Sequence, residues 1–157
     1  MKIKIELDNF SKEMDIYSEE GIKLIAELWT KVSFHNKLMY EPTWMGVPVI
    51  QYPNDMVIVQ ELICKIKPDI IIETGIAHGG SLIFSASIME LIGKGKVIGI
   101  DVDIRKYNEL AIRSHPMSKR IELIEGSSVD SKVTEEAFFK IRPNDKVLVF
   151  LDSDHSY

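Results

Sequence analysis

Three consecutive isoleucines, Ile70 to Ile72, run straight into Glu73-Thr74-Gly75-Ile76-Ala77-His78-Gly79-Gly80-Ser81. A short β-branched run without polar alternation reads as a strand buried on both faces, and parallel sheets bury their strands that way. Glycines at 75, 79 and 80 let the backbone turn tightly and come close to a ligand. Ser81 to Leu91 then continues as a helix that ends near Gly93. Strand, glycine turn and helix in that order point to an α/β fold and aim the free N–H groups of a helix start at the loop.

Those N–H groups attract anions, so a nucleotide phosphate is the first ligand to consider. The glycine spacing disfavours it. A dinucleotide fingerprint needs G-x-G-x-x-G, whereas this loop reads G-x-x-x-G-G with Glu73 two residues before the first glycine. A carboxylate there would repel a pyrophosphate and suit a cationic amine. The pattern E-x-G-x-x-x-G-x-S resembles the cofactor loop of catechol-type methyltransferases that use S-adenosylmethionine (SAM). Taken alone, the same glycines also fit a strand, turn and helix with no ligand.

Elsewhere the same rhythm repeats. Lys96 to Asp101 reads as a second buried strand, Ile121 to Glu125 as a third near an edge, and Lys146 to Leu151 as a fourth, apolar throughout. Helices are expected over Glu19 to about Leu38, from Asn54 or Asp55 (as N-cap) to the residue before Pro68, over Arg105 to Ser114, and over Thr134 to Lys140. Ile22, Ile25, Leu28, Trp29 and Val32 mark the apolar face of the first helix, where Trp29 reads as packing. Pro42, Pro48 and Pro53 with Gly46 forbid regular structure from Glu41 to Pro53, a lid or an ordered loop pinned by Trp44. Residues 1–18 read as an extended arm or short strand. The domain division expected is 1–53 for arm, helix and lid, and 54–157 for the ligand-binding domain.

Strands separated by helices make a parallel sheet with right-handed crossovers, and ligands sit at the carboxyl ends of its strands. Glu73, Asp101, Ser127 and Asp152 all fall there. Asp101 lies about 20 residues past the glycines, where a carboxylate reaches a ribose hydroxyl pair; Asp103 reads as solvated. Ser127 or Ser128 could bond an adenine.

The composition narrows the partner. The chain has 157 residues, 45% of them apolar, and a net charge of -5 without any dense basic run. One domain binding a small molecule is therefore expected, with neither nucleic acid nor membrane as partner. No apolar run approaches the ~18 residues of a membrane span and the amino terminus lacks a signal-peptide core, so a cytoplasmic location is expected. The single cysteine, Cys64, excludes an intramolecular disulfide and a multi-cysteine zinc site.

From Thr43 onward the chain resembles the cephalosporin hydroxylase family, a branch of the class I SAM-dependent methyltransferases that includes rhamnosyl O-methyltransferases. Trp44-Met45-Gly46-Val47-Pro48, Pro53-Asn54-Asp55, Glu73 to Ser81, Val97 to Arg105, Glu125-Gly126-Ser127-Ser128 and Leu151-Asp152-Ser153-Asp154-His155 carry the resemblance. It implies a Rossmann-like class I methyltransferase fold with a parallel sheet ordered 3-2-1-4 and helices on both faces. Glu73, Gly75 and Ser81 would hold the methionine end of SAM, in the loop that includes Gly79 and Gly80. Asp101 would hold the ribose and Ser127 or Ser128 the adenine. Asp152 matches the first magnesium ligand of the catechol-type enzymes. His155, at the position of their catalytic lysine, would take the proton from an acceptor hydroxyl or be merely a solvated histidine.

The implied activity is methyl transfer by in-line displacement to a hydroxyl of a sugar or other small metabolite, assisted by magnesium. A non-catalytic SAM or nucleotide binder is the alternative, an NAD oxidoreductase is disfavoured by the loop, and no His and carboxylate spacing suggests iron. The family continues past His155, so C-terminal strands are expected to be missing. Strand 146–151 would then be an open edge, so that either copies self-associate through it or the rest of a longer protein has been cut or lost, and in both cases methyl transfer by this chain alone would be negligible.

Overall fold

A computed structural model describes residues 1–7 and 10–153. They form two compact units, Met1–Met39 and Tyr40–Tyr157.

In the first unit, β1 (Lys2–Leu7) pairs antiparallel with β2 (Phe10–Asp15), with Lys2 opposite Asp15. The single arm expected from the sequence is thus a hairpin whose two strands satisfy each other's backbone groups. Helix α1 (Glu19–His35) follows, its Ser18 side chain accepting from Gly21 N at 3.1 Å. Its apolar stripe is present but exposed: Trp29 is 57% exposed, so the packing expected of it is not seen.

The second unit begins with a strap. Here β3 (Thr43–Trp44) and β4 (Val47–Pro48) make one short antiparallel pair around Met45 and Gly46. This corrects the expectation of wholly irregular chain: Met45 (φ 49) and Gly46 (φ 88) both adopt the left-handed region that a tight hairpin turn needs. The next helix, α2 (Pro53–Ile66), starts earlier than expected. Tyr52 is its N-cap and proline fills the first turn, where a missing N–H costs nothing, so Asn54 and Asp55 lie inside the helix.

Then come β5 (Ile70–Thr74), α3 (Gly80–Ile92), β6 (Lys96–Asp101), α4 (Lys106–Ser114), β7 (Ile121–Glu125), α5 (Ser131–Phe139) and β8 (Val147–Leu151). Helix α5 begins a turn before the expected Thr134 because Asp130 caps it, accepting from Lys132 N at 2.7 Å. The four strands form one parallel sheet ordered β7-β6-β5-β8, the expected 3-2-1-4.

Alternation along β5 sorts its side chains between two layers. Ile71 packs with Ile63 of α2, Leu82 and Ile83 of α3 and Ile112 of α4. Ile70 and Ile72 face the other way, with Ile98, Ile100, Ile124 and Ala137 of α5. Helices therefore cover both faces. Strand β8, apolar throughout, buries only one of its own: Leu148 and Phe150 join the first layer, while Leu151 is 76% exposed.

Candidate active site

At the carboxyl tip of β5, Glu73 shares the parity of Ile71 and so points into the α2 and α3 layer. It is only 4% exposed. Ser81, in the first turn of α3, donates its hydroxyl hydrogen bond to Glu73 Oε1. Burial pushes the Glu73 carboxyl up to about 7, the Ser81 hydrogen bond pulls it down, and the nearby Asp152 charge adds to the rise. Among the described residues no lysine or arginine side chain compensates it.

The other perturbed acids differ. At the opposite end of the strands Glu122 lies between Lys96 at 2.7 Å and Lys140 at 2.8 Å, and Lys94 sits 2.6 Å from Asp69. These cations hold both carboxyls below their usual range. Charge at that end is spent on the protein itself. Glu73 is a buried acid left for something else.

Glu73 and Ser81 line a cavity of about 280 Å³ with Gln51, Phe84, Phe150 and Asp152. Gly75 brings its far wall close. Its φ is 87°, and a Cβ there would stand 2.0 Å from the Asp152 carbonyl oxygen, so only glycine lets the loop meet the end of β8. Asp152 N donates to Thr74 O at 3.0 Å and fixes the same junction. Gly79 is the N-cap of α3 and Gly80 its first residue.

Asp101, at the tip of β6, is half-buried. Its Oδ2 accepts from Ile76 N at 2.7 Å and more weakly from Ala77 N at 3.4 Å, and its Oδ1 accepts from Asp103 N at 3.2 Å. The carboxylate expected at the ribose thus also shapes the glycine loop, and Oδ1, which accepts one hydrogen bond, keeps a lone pair for a hydroxyl. Asp103 is exposed, as expected. Asn108 of α4 is a partner the sequence reading missed: buried, it donates to Ala77 O at 2.6 Å and holds that residue at φ 47. A helix-disfavouring asparagine amid a helix was the only signal.

Ser127 and Ser128 lie half-buried beyond β7. Ser128 lines a second, largely apolar groove of about 500 Å³ with Thr74, Phe138 and Leu151 on the α5 side of the sheet. The structure therefore brings Glu73, Gly75, Ser81 and Asp152 together, sets Asp101 against the same loop, and leaves the serines one strand further off. Asp152 is exposed, and among the described residues no group of three His, Cys, Asp or Glu could hold a metal. His155 lies outside the described residues.

Comparison with known proteins adds the following. The family model Rhamnosyl O-methyltransferase/CmcI matches residues 36–157. A rhamnosyl O-methyltransferase of Mycobacterium leprae is 31% identical over 134 residues, covering 84% of this chain and 56% of its own length. One of Mycobacterium tuberculosis H37Rv is likewise 31% identical over 134 residues, with 53% of its length covered. The chain spans about half the length of the curated relatives it matches. An apo structure of CmcI shares the fold at a TM-score of 0.58 and 23% identity, covering 74% of this chain and 47% of that one. A Mg-SAM structure of CmcI does so at 0.52 and 20%, with the same shares. Among the described residues no helix is long and apolar enough to cross a membrane.

Proposed function

The chain belongs to the Rhamnosyl O-methyltransferase/CmcI family, and from that premise we propose that it forms the SAM-binding part of an O-methyltransferase acting on a hydroxyl of a sugar or similar small metabolite in the cytoplasm. The observation that carries the reading is Glu73. Keeping a carboxyl buried without a cation costs stability, and such perturbed acids in clefts gather at functional sites. The α-ammonium of SAM would supply the missing cation.

Bound SAM supplies an electrophilic methyl group on sulfur. The chain's own residues would hold it: Glu73 and Ser81 the amino-acid end, the Gly75 turn the close backbone approach, Asp101 the ribose, and Ser127 or Ser128 the adenine. The glycine loop is set beforehand by Asp101 and Asn108, which is the preorganisation that in-line transfer needs. His155 would accept the proton of the acceptor hydroxyl.

Magnesium is a proposed cofactor that the described residues do not fit on their own. The ion takes about six oxygen ligands, and Asp152 would contribute one. The support is the family and the Mg-SAM structure of CmcI.

Incubation with methyl-labelled SAM, magnesium and a panel of rhamnosides and other hydroxyl compounds tests the proposal. The chain should retain labelled SAM and Glu73→Ala should lose it, with label passing to a sugar hydroxyl only when the chain stands within a protein of the relatives' full length. Label retained equally by Glu73→Ala would overturn the role given to that acid.

A further inference from the structure

The cavity beside Glu73 contains one group that the reading so far leaves unused. Gln51 lines it, and its Oε1 is fully shielded from solvent with no hydrogen-bond partner in the protein. A buried amide oxygen left unpaired is disfavoured enough that a native one calls for an explanation.

The backbone around Gln51 is pinned on both sides. Val49 is 1% exposed, and its N–H donates to Pro42 O at 2.9 Å. A Cβ on Gly80 would stand 2.1 Å from Pro48 O, so the strap lies flush against the first turn of α3. On the other side Tyr52 caps α2, its carbonyl accepting from Asp55 N and Met56 N. Trp44 anchors the strap's start, its indole N–H donating to Ser87 Oγ at 3.1 Å and its ring meeting Phe84 edge-on. Gln51 thus rides on rigid chain at the wall of the cavity.

We infer that Gln51 is a ligand to the amino-acid end of the bound cofactor, a step that rests on the SAM reading above. The cavity already holds the carboxylates of Glu73 and Asp152 and the Ser81 hydroxyl. A zwitterionic α-amino acid presents donors on its ammonium and acceptors on its carboxylate. A carboxamide answers both once it rotates towards the cavity: Oε1, which has no partner in the protein to give up, accepts an ammonium N–H, and Nε2 donates to the carboxylate. Glu73 supplies the charge and Gln51 fixes the orientation, so the residue discriminates ligands that carry the amino acid from those that lack it.

The test uses two ligands that share the adenosine thioether: S-adenosylhomocysteine, and methylthioadenosine, which lacks the amino acid. Calorimetric titration of the unsubstituted chain, Gln51→Ala and Gln51→Met should give about 5- to 30-fold weaker binding of S-adenosylhomocysteine in both variants, with methylthioadenosine unchanged. Gln51→Met keeps the side chain's length and so guards against a collapsed strap. Equal weakening of the two ligands, or none, would overturn the assignment while leaving the cofactor reading intact. If the unsubstituted chain binds neither ligand, the cofactor reading itself fails, and this inference with it.

Discussion

Glu73 concentrates the physics of the site in one side chain. Its ordinary pKa of 4.5 rises to about 7 on burial. Below pH 4.5 the folded and unfolded chains both hold the proton and the group contributes nothing to pH dependence. As pH climbs from 4.5 towards 7 the unfolded chain loses its proton first, so stability falls; above 7 the cost levels off at about 3 kcal/mol. Glu73→Gln should therefore stabilise the protein at pH 8 by about 1 to 3 kcal/mol and by much less at pH 4.5, while weakening binding of a cationic cofactor. Thermal melts at the two pH values measure this. Equal shifts at both would mean that the buried charge is not what the substitution relieves. From the sequence Glu73 reads as a strand-tip acid suited to a cationic amine, but its burial and its hydrogen bond from Ser81 are not legible there, because they depend on how α3 lies over β5.

At the scale of elements, β6 and the glycine loop are joined through Asp101. Its carboxylate accepts from Ile76 N and Ala77 N, so the residue sets loop shape in addition to its proposed contact to the ribose. Asp101→Ala is expected to weaken SAM binding by about 1–3 kcal/mol and to speed hydrogen exchange at the Ile76 amide, which loses its acceptor. Unchanged affinity would move the ribose contact to Asp103 or elsewhere. The strands themselves were readable, because unalternating β-branched runs such as Ile70 to Ile72 leave few other solutions. Helix starts were less so: Asp130 and Pro53 set them, whereas the sequence reading began α5 at Thr134 and took Asn54 or Asp55 as the cap of α2, up to a turn late. The strap escaped because its order comes from distant partners, Ser87 and Phe84 for Trp44 and the α3 start for Pro48.

Over the whole second unit, the sheet order β7-β6-β5-β8 brings three chain-distant acids, Glu73, Asp101 and Asp152, to one end of the strands. At the other end, acids such as Glu122 and Asp69 are paired with lysines. That polarity underlies the central proposal: the carboxyl end of this sheet receives an adenosyl compound with a cationic amine and not a dinucleotide. Titration calorimetry with SAM, S-adenosylhomocysteine and NAD tests it most directly. SAM and S-adenosylhomocysteine should bind and NAD should give no saturable heat; tighter binding of NAD, or a folded chain that binds neither adenosyl compound, would contradict it.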